Sequence, residues 1–369
     1  MASIEIKQQP LDVKVGDFAV AFKVPLPVII PIESVKDTES EEITDPFATL
    51  SNLVTKAAIM SDMLEKGQVE QLPFAIASWF IRKWWVASQM SDGHIEGLDF
   101  LQRAIRESRV QRKRVIFTPA HLADFDHAVA FYVLEKNKQG LGIEKDSVWM
   151  AGTNMQKRPA ISRFTRAAHL IYNVTPRDMR HLQTLKEKVE EYGFTEGEKD
   201  LLGAIQVIFN ATRDESKQRV METCGKKKKA LVAYPEAGRA YDGFLKDAPP
   251  EFSWFYPRDG SAIVVPYRVY GARELNPPGI DPPIARIEML PFWPKQKVYM
   301  KAGQHYPSSE IWRVWKARRV EGEEKASPMD WVMANLANVD PRFVRSNDCI
   351  RYGRLLERFA PDRVNNLLN

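Results

Sequence analysis

Val115-Ile-Phe-Thr-Pro-Ala-His-Leu-Ala-Asp-Phe-Asp-His-Ala-Val-Ala-Phe-Tyr-Val-Leu-Glu135 passes from an apolar strand into a helix within a few residues. Val115, Ile116 and Phe117 read as a buried strand. From Asp126 onward the apolar run is too long and too Ala-rich to be another strand, and it predicts a helix. His121 and Asp126 lie five positions apart at this junction, at the strand's carboxyl end. In an open α/β sheet that edge is where ligands bind. An imidazole and a carboxylate placed there suggest a general base held by an orienting acid.

Working outward, short apolar runs recur at Val148–Met150, Leu170–Val174, Ala230–Tyr234, Ile263–Val269, Ile287–Leu290 and Val298–Met300. Two proline-free stretches rich in Leu, Lys, Glu and Gln, Asp178–Tyr192 and Gly197–Gly225, predict helices between the Leu170 and Ala230 runs. Alternating strands and helices imply an α/β fold: a mixed central sheet flanked by helices, with a smaller N-terminal helical module. That module is expected over residues 1–109. Its first 32 residues read as extended, an acidic linker covers Glu33–Asp45, and a helical pattern runs from Pro46 to about Arg109. Residues 110–369 then form the main domain, and the region from Ser308 onward serves as a helical cover.

The chain has 369 residues, 44% hydrophobic and 27% charged, enough to bury a large core. A formal net charge of +5 is small against 53 Lys and Arg and 48 Asp and Glu. It favours phosphate-bearing ligands without calling for nucleic acid. Cys224 and Cys349 are too far apart for a metal-knuckle spacing, so neither a disulfide framework nor a zinc site is expected. No window approaches the roughly 20 apolar residues that span a bilayer, and the amino terminus lacks a basic head and an apolar signal core. These features predict a cytoplasmic protein, soluble or peripherally membrane-associated, and are also compatible with a mature plastid stromal form.

Four blocks follow one another along the chain: His121-x4-Asp126, Arg166 to Arg177, Tyr234-Pro-Glu-Ala-Gly-Arg239, and Val264-Val-Pro266. In this order they resemble the glycerolipid acyltransferases, the His-x4-Asp acyltransferases. There a basic block, a Pro-Glu-Gly-x-Arg block and a proline-containing strand follow the first motif. The resemblance covers roughly residues 110–270. In general plan it is nearest to the soluble plastid-type glycerol-3-phosphate acyltransferases, with a helical amino-terminal domain and a long insert between the first and third blocks. Asp178 stands where that type has the second member of a basic pair, Tyr241 replaces a second cation, and Ala237 replaces a frequent glycine. Glu236 is closer to the wider family, which includes lysophosphatidate acyltransferases.

The resemblance implies transfer of a fatty acyl group from an acyl carrier protein or coenzyme A thioester to the sn-1 hydroxyl of glycerol 3-phosphate. No cofactor beyond that donor and no metal are implied. Acylation of lysophosphatidate is the alternative acceptor chemistry, and an inactive acyltransferase fold used for binding is a further one. His121 would remove the hydroxyl proton while Asp126 fixes its tautomer. Arg177 and Arg239, with Arg166 as a third, would hold phosphate oxygens through paired N–H donors. Gly238 permits close backbone approach where an oxyanion forms. Glu236 would orient Arg239 or a substrate hydroxyl.

Other features have two readings. The cluster His121, Asp124, Asp126 and His127 lacks the His-x-His-x-Asp-His spacing of metallohydrolases. Lys226–Lys229 suit a helix carboxyl terminus, or else dock an acidic carrier protein or anionic headgroups. Trp79, Phe80, Trp84 and Trp85 recur at helical spacing and fit core packing or a peripheral membrane contact.

Overall fold

The computed structural model describes residues 8–15, 18–25, 43–76, 90–121, 126–137, 147–152, 168–226, 229–236, 244–272 and 295–368. The aromatic stretch Trp79–Trp85, most of the acidic linker, Asp124, Arg166, the Ala237–Tyr241 segment and the run Ile287–Leu290 lie outside these residues.

The protein is mixed α/β. An antiparallel hairpin, β1 (Gln8–Val15) and β2 (Phe18–Pro25), comes first, as the extended reading of this region expects. Helix α1 (Pro46–Glu65) follows, and then β3 (Glu70–Gln71) and β4 (Met90–Glu96). The remaining order is α2 (Leu98–Gln111), β5 (Arg114–Pro119), α3 (Asp126–Lys136), β6 (Ser147–Gly152), β7 (His169–Asn173), α4 (Pro176–Glu187), α5 (Glu196–Val220) and β8 (Ala230–Val232). Strands β9 (Ala262–Tyr270), β10 (Gln296–Ala302) and β11 (Tyr306–Pro307) precede α6 (Ser309–Val320), α7 (Met329–Ala337) and α8 (Ser346–Phe359). The central sheet has nine strands in the order β3-β7-β6-β8-β5-β9-β10-β4, with β11 beside β9.

The sheet is mixed because β5 runs parallel to β8 and β9, whereas β10 pairs antiparallel with β9. The apolar runs around Val115, Val148, Leu170, Ala230, Ile263 and Val298 all become strands. One departure falls in the stretch read as helical: Met90–Glu96 is a strand, parallel to β10.

The described residues divide into two compact units. The smaller takes the residues up to Glu70, Gly152 and Tyr172–Gln218. Helix α1 opens on Pro46, and its Asp45 cap accepts the Ala48 N–H at 2.9 Å. Pro46 needs no hydrogen bond at this position, and the cap satisfies a donor the helix leaves open. Helix α4 uses the same device: Thr175 Oγ1 accepts from Asp178 N–H, with Pro176 next in line. The apolar faces meet in a core of Leu53, Met60, Leu182, Leu185, Leu202 and Phe209. Lys56 and Asp178 form a buried ion pair at 2.5 Å inside this unit. Burial, followed by the positive charge of Arg177, lowers the pKa of the neighbouring His181.

The larger unit holds β4, β5, β8, β9, β10 and β11. Ile116, Leu231 and Val264 share one register level, and all three are fully buried. Helix α7 is buried at every position from Met329 to Ala337 except Asp330. The region after Ser308 is held by polar ties: the Trp312 and Trp315 indoles donate to Tyr256 O and Ala326 O. Arg318 is engaged by Glu323 and Asp330, and Arg363 by Glu310.

Two glycines let this unit's backbone close up around β10. Gly97 and Gly271 both have positive φ, and a Cβ on either would stand 2.4 Å from Ala302 O or 2.3 Å from Lys297 O. Only a residue without a side chain tolerates both conditions.

Candidate active site

Strand β5 ends at Pro119, Ala120 N–H donates to Tyr267 O of β9 at 3.2 Å, and His121 follows. Asp126 is the first residue of α3 and 1% exposed. His121 Nδ1 lies 3.0 Å from Asp126 Oδ2, within the larger unit. The imidazole retains partial exposure, 23% of its side chain, so one face of the pair is open and the other closed. A carboxylate in this position holds the ring and favours the imidazolium once it forms. The Tyr234 ring packs 4.3 Å from the imidazole, centroid to centroid.

Glu236 reaches the same junction from the turn after β8. Its Oε2 accepts the His121 backbone N–H at 2.6 Å, and its Oε1 accepts the Lys246 N–H at 3.0 Å. It is therefore a tie between two main-chain segments. Burial raises its pKa to about 7, against the pull of these two N–H groups and of Arg268, while Asp126 adds a further push upward.

Three of the expected residues, His121, Asp126 and Glu236, thus come together. Arg177 is exposed in the first turn of α4 and belongs to the smaller unit. Arg166, Gly238 and Arg239 lie outside the described residues. Asp178 serves the structure of α4: its N–H donates to the Thr175 cap and its carboxylate pairs with Lys56.

No family model matches this chain, and no curated protein does. The geometry of the site therefore carries the functional reading. Among the described residues, no helix is long and apolar enough to cross a membrane.

Two neighbours of this site are given no role by the sequence motifs, although Tyr234 opens one of the blocks. Tyr234 reads in the sequence as the end of an apolar strand, yet its ring lies against His121. Arg268 is 2% exposed in β9, a strand whose pattern marks it only as apolar. A signal for it exists: it is a single cation within Ala262-Ile-Val-Val-Pro-Tyr-Arg-Val-Tyr270, a run otherwise free of charge. Burial lowers its pKa to about 10, so it stays charged at neutral pH.

Proposed function

We propose that this chain is an O-acyltransferase. It moves a fatty acyl group from an acyl carrier protein or coenzyme A thioester to the sn-1 hydroxyl of glycerol 3-phosphate. The observation that carries the reading is the 3.0 Å contact between His121 Nδ1 and the buried Asp126 carboxylate at the carboxyl end of β5.

In this reading Nδ1–H is donated to Asp126, which leaves the Nε2 lone pair to take the proton of the acceptor hydroxyl. The freed oxygen attacks the thioester carbonyl carbon, and the carbonyl electrons move onto oxygen. Collapse of that intermediate breaks the C–S bond, and the thiolate recovers the proton from Nε2. The products are an ester, 1-acyl lysophosphatidate, and a free thiol, with no serine or cysteine nucleophile needed. Glu236 fixes the main chain at His121, so the base starts from a defined position. Arg239 and Arg166 are proposed to hold the acceptor's phosphate, and Gly238 to line the oxyanion. The reaction is assigned to a cytoplasmic setting, in solution or at a membrane surface.

The test pairs each donor, the acyl-carrier-protein or the coenzyme A thioester, with glycerol 3-phosphate or lysophosphatidate and measures ester formation. Turnover with glycerol 3-phosphate in excess of lysophosphatidate is expected, and the reverse preference would move the assignment to the second acylation step. His121→Ala should lower kcat by about 10²–10⁴-fold in a folded protein. A variant within tenfold of wild type would refute the base assignment, and no transfer in any combination would refute the reaction.

A further inference from the structure

Arg268 is the one charged side chain of β9, and its Nε and Nη2 atoms have no hydrogen-bond partner. Its guanidinium carbon stands 3.4 Å from the Phe343 ring centroid and 5.7 Å from that of Tyr270. None of the carboxylates that act on its charge accepts a hydrogen bond from its Nε or Nη2. Asp340 accepts from Tyr270 Oη and from Arg342, Glu236 accepts two main-chain N–H groups, and Asp126 meets His121. Buried guanidinium N–H groups without an oxygen acceptor are unfavourable, and native proteins seldom keep them.

The position of Arg268 points to the kind of acceptor that suits them. In the parallel register Pro119 pairs with Tyr267, so Arg268 lies one residue further along, level with Ala120 and next to the turn that carries His121. Phe343, beneath the guanidinium, accepts from Leu245 N–H at 2.9 Å, and the next residue, Lys246, donates to Glu236. One continuous set of contacts therefore joins Arg268 to the His121 and Glu236 junction. Nε and Nη2 form the side edge of a guanidinium, whose two parallel N–H directions match two oxygens of one tetrahedral anion.

We propose that Arg268 is an anion-binding residue of this site, receiving two oxygens of a substrate phosphate group on its Nε and Nη2 edge. The choice of substrate rests on the acyltransferase reading, whereas binding of the phosphate does not. The group belongs to the glycerol 3-phosphate acceptor or to the phosphate-bearing pantetheine arm of the donor.

The experiment is calorimetric titration of the full chain with glycerol 3-phosphate, with coenzyme A, and with glycerol as a ligand lacking phosphate. Wild type, Arg268→Gln, Arg268→Lys and Gly203→Ala, a change in α5 with open space around it, are compared. Arg268→Gln should weaken binding of one phosphate ligand at least tenfold while Gly203→Ala keeps it, and glycerol should give no Arg268-dependent signal. Arg268→Lys should recover only part of the affinity, because an ammonium lacks the paired donors. A loss confined to glycerol 3-phosphate places Arg268 at the acceptor, and one confined to coenzyme A places it at the donor. Unchanged affinities for both, or a wild-type chain that binds neither, would overturn the proposal. If Arg268→Gln does not fold, Arg268→Lys decides the matter by the same criterion. Phosphate binding that depends on Arg268 in a chain without acyl transfer would leave this assignment standing and remove the reaction alone.

Discussion

At Glu236 the surroundings and the hydrogen bonds pull against each other. It accepts two main-chain N–H groups, which favour its ionised form, yet it is 5% exposed and its pKa rises to about 7 from 4.5. The native state therefore keeps the proton to higher pH than the unfolded chain does. This group's contribution to stability is complete below pH 4.5 and is lost as pH rises to about 7. The span of that loss is about 3 kcal/mol. Urea unfolding of wild type and Glu236→Gln across this window should show the wild type losing stability relative to the variant as pH rises. A difference that does not vary with pH would mean that the carboxyl titrates at its ordinary value. His121 and Glu236 both stand out in the sequence as candidate site residues, but their connection does not. A backbone N–H reaching a carboxylate 115 positions away leaves no local pattern. Arg268 escapes the motifs for a related reason: a lone cation within an apolar run reads as part of a strand and announces nothing of its surroundings.

At the level of elements, strands β5 and β9 are readable because Val115–Phe117 and Ile263–Val269 are nearly uninterrupted apolar runs, as strands buried on both faces must be. Strand β4 is not. Met90-Ser-Asp-Gly-His-Ile-Glu96 offers only Met90 and Ile95 as apolar residues, and its pairing with β10 at the sheet's edge rests on main-chain bonds that side-chain periodicity does not announce. The close of β9 onto β10 depends on Gly271, at φ +86° with Lys297 O where a Cβ would fall. Gly271→Ala should cost at least about 2 kcal/mol from the left-handed backbone and the clash together. Gly203 in α5 is the control, since nothing lies within 4 Å of its Cβ position. There alanine should stabilise by about 0.5–1 kcal/mol. Thermal unfolding of the two variants checks both signs, and equal effects would contradict the account.

At the scale of the molecule, the sequence is laid out in one order and the compact units in another. The reading of residues 1–109 as an N-terminal module follows the chain, whereas the smaller unit takes α1 together with Tyr172–Gln218. Such a grouping is invisible to periodicity, because α1, α4 and α5 each display an apolar stripe without naming the partner that covers it. Lys56 and Asp178, 122 positions apart, form a buried ion pair within it. Removing one member leaves an uncompensated buried charge, so Lys56→Met should destabilise this unit by about 3–5 kcal/mol. Hydrogen exchange should then quicken together over residues 43–70 and 172–218, as expected of one cooperative body. Exchange that rises only around position 56 would argue against a shared unit.

The tie from Glu236 grips the amide of His121 and makes no use of its ring. Exchanging the histidine for alanine therefore deletes the proposed proton acceptor while the turn that presents it keeps its anchor. A His121→Ala chain thus separates two roles of one residue: what it loses relative to wild type reports on the ring alone, because the main chain at this turn is held as before.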